Sequence, residues 1–390
     1  MKSVGTGESV LLTGISGYLG SLVAAALLSE GHYRILAPIR AGHTHESIID
    51  KIKSEAGNSL ASDIDFDRIT TVALPELDEI SSLASLASQM QVTEIIHCAG
   101  SVDYFDLVSL QSSNIDLTIQ LLSLGKQLEI RRFTYLSTAF SSGYVDGLIP
   151  EELHDDPTAD PTDYTRTKRQ AEALVAGSSL PFLIVRPSIV IGNSFDGRYS
   201  GKAYGLYQLW MAWERLLCDR YRTVLHFIAP KAKLQLIHQD AFQSSFMAVW
   251  RKIANDSIVH LVSRPETLPT VRGLTQLWNE MCTRPREVHY YDRADEIPTQ
   301  GLDRRIRTFL EFTSVNSEIA SHPWQFETTA LDQLRTEGLE FHDATIETVR
   351  ICQMRFMAQS KRIQTFLTKN AALLSAMPPL SEGTSNNAAM

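Results

Sequence analysis

The tightest constraint in the chain is Thr13-Gly14-Ile15-Ser16-Gly17-Tyr18-Leu19-Gly20, three glycines spaced three residues apart. They lie between a short apolar run, Ser9–Thr13, and an Ala/Leu-rich segment, residues 18–30. A run without helical period followed by a helical one predicts strand, turn and helix. In such a corner Gly14 permits the tight turn, Gly17 lets the backbone approach a pyrophosphate with no Cβ in the way, and Gly20 lets the helix pack closely on the strand. The helix then aims free N–H groups and its positive dipole end at the phosphates. Thr13, Gly14, Ser16, Gly17, Tyr18, Leu19 and Gly20 are therefore candidate dinucleotide-binding residues.

Further β-type runs occur at residues 34–38, 69–74, 94–97, 133–137 and 182–186, most of them separated by helically patterned segments such as 83–90 and 110–128. Alternating β and α implies an α/β fold, a parallel sheet with helices on both faces. From about residue 193 this rhythm stops, and aromatic-rich helical segments at 204–217 and 242–253 alternate with irregular stretches, as in a second, smaller lobe.

About 20 residues beyond the glycine turn, an NAD-binding chain places Asp or Glu to bond the ribose 2′-OH. Arg40 stands there, and no carboxylate follows until Glu46. A guanidinium suits a 2′-phosphate through a bidentate, charge-assisted pair, so the expected cofactor is NADPH.

Residues 135–140 read Tyr-Leu-Ser-Thr-Ala-Phe at a strand end, and a helix beginning near Asp163 carries Tyr164 and Lys168 at i and i+4. That spacing puts phenol and ammonium on one helix face. Lys168 is expected to lower the pKa of Tyr164 so that the phenol can protonate an alkoxide, while the Thr138 hydroxyl polarises the same oxygen. Ser137, its strand neighbour, is expected to face the other way.

These motifs resemble the extended short-chain dehydrogenases/reductases over residues 10–240. The resemblance implies a Rossmann-type doubly wound parallel sheet, a catalytic set of Thr138, Tyr164 and Lys168, and a bond from Lys168 to the nicotinamide ribose. Residues 95–103, 114–122 and 184–192 are similar to segments of the thioester-reductase and fatty-acyl-CoA-reductase, or "male sterility", branch. That likeness adds Ala99 and Gly100 to the cofactor residues, gives Asn114 the role of supporting the active-site helix, and makes Pro187 and Ser188 line the nicotinamide pocket. Gly100 stands where Ala is usual, Asp116 where Gly is usual, and Pro75-Glu76-Leu77-Asp78 replaces a Gly-Asp-hydrophobic segment on the adenine side.

The expected division is an N-terminal tail (1–8), an NADP-binding domain (9–240, with 193–235 contributing to the substrate lobe), a mainly helical substrate lobe (241–377) and a disordered tail (378–390). The implied reaction is NADPH-dependent reduction of an acyl thioester to aldehyde and, with a second hydride, to alcohol. The acyl group is expected as a CoA ester or on a separate carrier protein's phosphopantetheine. Two rivals are a reductase of ketone, steroid or sugar-nucleotide substrates and a non-catalytic NADP-sensing partner. On the substrate side, Arg215, Arg220, Arg222, Lys231 and Lys233 form a basic cluster that could meet a CoA or phosphopantetheine phosphate, and the acid-rich residues 141–163 read as a lid.

Composition excludes other classes. The 390 residues are 44% hydrophobic and 21% charged, with 36 Lys+Arg against 45 Asp+Glu for a net charge of −9. That balance is ordinary for a soluble globular chain and argues against a nucleic-acid binder that needs a broad basic face. Cys98, Cys218, Cys282 and Cys352 form no C-x-x-C pair, so reduced cytosolic thiols and no metal are expected. The best apolar run, residues 22–28, is far below the ~18 residues that span a bilayer, and residues 1–8 form no leader, so a cytoplasmic monomer or homodimer without a membrane span is expected.

Overall fold

Successive residues along Ser9–Thr13 (β1) are all buried, as they must be in a strand covered on both faces. Val10 and Leu12 enter one apolar core with the helix Tyr18–Ser29, and Leu11 enters another with the helices Leu83–Gln89 and Leu117–Gln127. The computed structural model describes residues 8–61, 64–104, 106–155, 159–298 and 300–375. The expected tails, apart from Glu8, lie outside the described residues.

Six more strands complete the sheet: β2 (Arg34–Ile39), β3 (Ile69–Ala73), β4 (Val92–His97), β5 (Arg132–Leu136), β6 (Phe182–Pro187) and β7 (Ser257–Leu261). Their order is β7-β6-β5-β4-β1-β2-β3, and every neighbouring pair is parallel. The chain winds outward from β1 to β3, then returns beside β1 as β4. The crevice at that reversal is where doubly wound sheets hold their ligands.

The second lobe has its own core, in which Trp210, Trp213, Trp278 and Phe227 are buried. Apolar residues of the helix Leu206–Leu217 recur at 206, 210, 213 and 217, one stripe of a 3.6-residue period. Short parallel pairs, Ile189–Ile191 with Leu236–His238 and Leu148–Ile149 with Gln325–Phe326, tie the lobe to the sheet unit.

Two expectations need correction. The sheet unit does not end at residue 240: the helix Gln239–Lys252 buries Phe242 and Phe246 in the core of the helix Tyr18–Ser29, and β7 pairs with β6 in unbroken register. Without β7, β6 would present an open edge of unpaired backbone groups. The acidic residues 141–163 do not form a free lid either, among those described. Ser141 and Ser142 are buried, Leu148–Ile149 is a paired strand, and Asp160 forms an ion pair with Arg169.

Glu151 in that segment accepts backbone N–H groups from His260 (2.8 Å) and Ala330 (3.4 Å). Burial, reinforced by the nearby Glu327 charge, nevertheless raises its carboxyl from 4.5 to about 7. The folded state therefore holds this proton to higher pH than the unfolded chain does. The Glu151 contribution to stability, on the order of 2 kcal/mol, should be lost as pH rises from 4.5 to about 7 and then level off. Urea denaturation of wild type and Glu151→Gln side by side should show this as the difference between them, with the wild type losing stability relative to the variant across the window, because the buried neutral histidines add the opposite slope to both.

Candidate active site

The helix Tyr18–Ser29 has Gly17 as its N-cap and no side-chain cap, so its first N–H groups face the cleft without a side-chain acceptor. Two of the three glycines are required by the protein itself. Gly14 has φ +75°, and a Cβ there would lie 2.5 Å from Ala99 N; at Gly20 it would lie 2.1 Å from Gly14 O. At Gly17 the nearest atom would be Gly14 O at 3.1 Å, so the fold alone makes the weaker demand at that position.

A cavity of about 900 Å³ runs along this edge of the sheet. All the expected cofactor and catalytic residues line it: Thr13, Gly14, Ser16 to Gly20, Arg40, Ala99, Gly100, Thr138, Tyr164, Lys168, Pro187 and Ser188. Thr13 Oγ1 accepts from Ala99 N (3.4 Å) and donates to His97 Nδ1 (2.7 Å). His97 Nε2 donates to Thr118 Oγ1 (3.0 Å), whose own proton goes to Asn114 O (2.7 Å). Burial and the Lys168 charge push His97 down to about 3, so it is a neutral structural link. Tyr18 lines the cleft, but its hydroxyl faces Ile191 O (3.1 Å) and Gln239 Oε1 (3.0 Å) at the lobe junction. Arg40 is exposed at the rim, 3.3 Å from Ser113 Oγ.

Tyr164 is placed by a capping box. Thr162 Oγ1 accepts from Thr165 N (3.2 Å) and Thr165 Oγ1 accepts from Thr162 N (3.1 Å), which fixes the start of the helix Asp163–Ala176. A π-helical turn, Gln111–Asp116, brings Asn114 against this helix, where its Nδ2 donates to Thr167 Oγ1 (3.0 Å) and Ser101 O (3.1 Å). Lys168 Nζ donates to Leu136 O (2.6 Å) and lies 4.2 Å from the centre of the Tyr135 ring.

The proton arrangement differs from the expectation. Burial raises the Tyr164 phenol above its ordinary range, with a smaller push from Tyr104, and lowers Lys168 to about 8. Lys168 is not among the groups acting on the phenol, and its amine is directed at the Leu136 carbonyl and the Tyr135 ring. A phenol that keeps its proton is the state a proton donor requires. Ser137 and Thr138 are both among the residues of the cleft wall, and the Ser137 hydroxyl is buried.

The residues fit a nicotinamide dinucleotide. Among the described residues, the buried hydroxyls of Ser137 and Ser188 have no hydrogen-bond partner, and both residues line the cleft beside Tyr164 and Lys168. The glycine turn offers N–H donors at the other end.

At the substrate end the wall comes from parts of the chain without a common motif: Phe140, Leu209, Leu234, Ile319 and Trp324. Trp324 packs edge-on against Phe140, two residues past Thr138, with centroids 5.0 Å apart. Helical periodicity could have flagged Leu209 and Ile319, but sequence carries no sign that residues 140 and 324 meet. Trp210 and Trp213 are core, not channel. Of the basic cluster only Lys233 lines the cleft. Arg220 and Arg222 are instead held by Asp303 and Asp219 (2.6 and 2.5 Å), so their charge is largely offset locally.

The glycine turn, the Thr-Tyr-Lys set and the sheet order define an oxidoreductase of the extended short-chain dehydrogenase/reductase type. The family described as "Male sterility protein" matches residues 12–223, more than half of the chain, and the chain belongs to it. Peramine synthetase ppzA of Metarhizium majus is 27% identical over 206 residues, 48% of this chain and 7% of its own length. Adenylate-forming reductase Nps9 of Serpula lacrymans is 27% identical over 295 residues, 67% of this chain and 26% of its own length. The chain thus spans a small part of these relatives. Among solved structures, the terminal R domain of the myxalamid PKS-NRPS pathway superposes with TM-score 0.69 at 18% identity, covering 92% of each chain. A thiolation-reductase di-domain from an archaeal non-ribosomal peptide synthetase gives the same TM-score and identity over 94% of this chain and 76% of its own. At such identities both show the fold.

Gly20→Ala should destabilise the protein by about 3 kcal/mol or more, whereas Gly17→Ala should stay folded and lose affinity for a nicotinamide dinucleotide. Thermal denaturation beside a cofactor titration separates the two. Tyr164→Phe should slow reduction about 10²–10⁴-fold while leaving cofactor affinity unchanged, checked by single-turnover cofactor oxidation and fluorescence titration.

Proposed function

We propose that this chain is an NADPH-dependent reductase of acyl thioesters that releases a thiol and an aldehyde, the acyl group arriving on the phosphopantetheine of a carrier protein or on CoA. The observation that carries the reading is the continuity of the cleft, which leads from the glycine turn past Tyr164 to an apolar wall of Phe140, Leu209, Ile319 and Trp324. Such a space suits an acyl arm beside the reacting carbonyl. The likeness to an R domain and a thiolation-reductase di-domain supports a carrier-bound substrate. The dTDP-glucose 4,6-dehydratase of Bacillus anthracis, a sugar-nucleotide enzyme, superposes less well, with TM-score 0.61. We assign the enzyme to the cytosol, in keeping with its four free cysteines, and among the described residues no helix is long and apolar enough to cross a membrane.

In this reading the N–H groups at Gly17 and the following turn bind the pyrophosphate, and Arg40 meets the 2′-phosphate. Lys168 bonds the nicotinamide ribose, while Pro187 and Ser188 flank the ring. The bound cofactor supplies the hydride. Thr138 donates its hydroxyl hydrogen bond to the thioester oxygen, and Tyr164 delivers a proton to the same oxygen as negative charge develops there. The resulting hemithioacetal collapses, its C–S bond breaking to give thiol and aldehyde.

Anaerobic mixing with NADPH and either acyl-CoA or acyl-pantetheine should consume reduced cofactor with matching release of free thiol. Cofactor oxidation with small ketones, and no thiol from any thioester, would overturn the proposal. Arg40→Asp should raise the KM for NADPH about tenfold or more while changing that for NADH little. An unchanged ratio would remove Arg40 as the phosphate reader.

A further inference from the structure

Behind the Thr-Tyr-Lys set lies a fully buried ion pair that the reaction as described does not use. Glu172 is four residues from Lys168 and eight from Tyr164, on the same face of the helix Asp163–Ala176. Arg186 is on β6, immediately before Pro187 and Ser188. Both side chains are 0% exposed. The guanidinium bonds Glu172 as a fork, Nε to Oε1 at 3.0 Å and Nη2 to Oε2 at 2.6 Å. Nη2 also donates to Glu152 O (2.9 Å), and Nη1 donates to His154 Nε2 (3.0 Å) and His260 Nε2 (3.5 Å). All five guanidinium N–H groups thus have acceptors. Burial and the Arg186 charge push His154 to about 4 and His260 to about 3, so both are neutral acceptors, and His260 Nδ1 donates to Glu327 O (2.9 Å).

The pair also reaches the oxyanion side. Glu172 Oε1 accepts from Ser141 Oγ (2.8 Å), in the 3₁₀ turn Ala139–Ser142 that Thr138 caps. One carboxylate therefore joins the Thr138 turn, the Tyr164/Lys168 helix and the strand leading to Ser188. A buried ion pair is a poor source of net stability compared with apolar side chains of similar volume. Its placement is the better reason for its presence.

We propose that Glu172 and Arg186 are a positioning pair for the reaction: the Glu172 carboxylate supplies the anion one helical turn beyond Lys168 and, through Ser141, holds the Thr138 turn against the catalytic helix, while Arg186 fixes the carboxylate. This rests on the reading of Lys168 as the amine serving the reductase site.

The groups facing Lys168 are the Leu136 carbonyl and Tyr135 ring from β5, His97 and Cys98 at the end of β4, and Tyr164 and Glu172 on its own helix. The Cys98 thiol is raised to about 12 by burial, His97 is neutral and Tyr164 keeps its proton. That leaves Glu172 as the anion among the described groups acting on the amine, and it raises the amine's proton affinity against desolvation.

The test is a pH titration by ¹³C NMR of protein labelled at lysine Cε, with the Lys168 signal assigned by its loss in Lys168→Met. It needs no turnover, so failure of thioester reduction would sink the proposed function without deciding this inference. The wild-type midpoint is expected near about 8. Glu172→Gln should lower it by about one unit or more. Because single variants that leave a lone buried charge can fail to fold, the double variant Glu172→Leu/Arg186→Met decides independently, since an apolar pair of similar volume is tolerated. It should fold, show a midpoint below the wild type because the anion acting on the amine is gone, and have reduced kcat with little change in cofactor affinity. A folded double variant with an unmoved midpoint would overturn the proposal, as would a folded Glu172→Gln protein whose midpoint does not fall.

Discussion

Parallel pairing of all seven strands is the constraint on which the site depends. It brings the C-terminal ends of β1, β4, β5 and β6 to one edge, in the register Thr13 opposite His97 and His97 opposite Tyr135. The loops leaving those ends carry the glycine turn, Ala99 and Gly100, Thr138, and Ser188. No loop has to travel far to place its residue, and the backbone at the edge contributes directly, as the Leu136 carbonyl does to Lys168. The helix Asp163–Ala176 supplies what the edge cannot, two titratable side chains one turn apart with fixed rotational phase.

Removing water from that edge then decides the protonation states. Burial disfavours charge on both Tyr164 and Lys168, so it raises one and lowers the other. The i, i+4 spacing brings the groups onto one face, but spacing alone does not make the lysine a counter-charge for the phenol. Its amine lies on a carbonyl oxygen and an aromatic face, interactions that stabilise an ammonium where it is. The result is a protonated phenol on the same helix face as an amine lowered to about 8 and still mostly protonated at neutral pH, and hydrogen-bond donors already in place need little reorganisation when charge develops on a substrate oxygen.

Much of the cofactor half was legible in sequence because its requirements are local. A glycine needed for close approach, or a phenol and amine one helical turn apart, leaves a mark within a few residues. The rest depends on distant contacts. β7 is five residues long and follows a lobe of different texture, and only the edge left by β6 explains its place. The basic cluster looked like a cationic mouth because its acids, Asp219 and Asp303, are separated in the chain: one lies inside the cluster and the other 83 residues beyond Arg220. The acidic residues 141–163 read as a solvated lid because periodicity cannot show that Glu151 caps backbone N–H groups from residues 260 and 330.

Interleaving of the two units bears on how a substrate enters. The chain passes from sheet to lobe after Ile191, returns through His238 into the helix Gln239–Lys252 and β7, leaves again after Val262 and comes back near Trp324 to Phe326. His238 pins one of these passages, its Nδ1 on Gly192 O at 2.7 Å and its Nε2 on Thr348 Oγ1 at 2.8 Å. Hinge closure requires a few residues that can absorb the whole rotation. Several strands of chain crossing the same boundary, each tied by hydrogen bonds or packed aromatics, resist such a rotation together. Under the proposed function, an acyl arm would therefore thread through the open mouth rather than enter by the lobes parting around it. The capping box at Thr162 and Thr165 and the 3₁₀ turn capped by Thr138 set the backbone of Tyr164 and Thr138 before any substrate arrives.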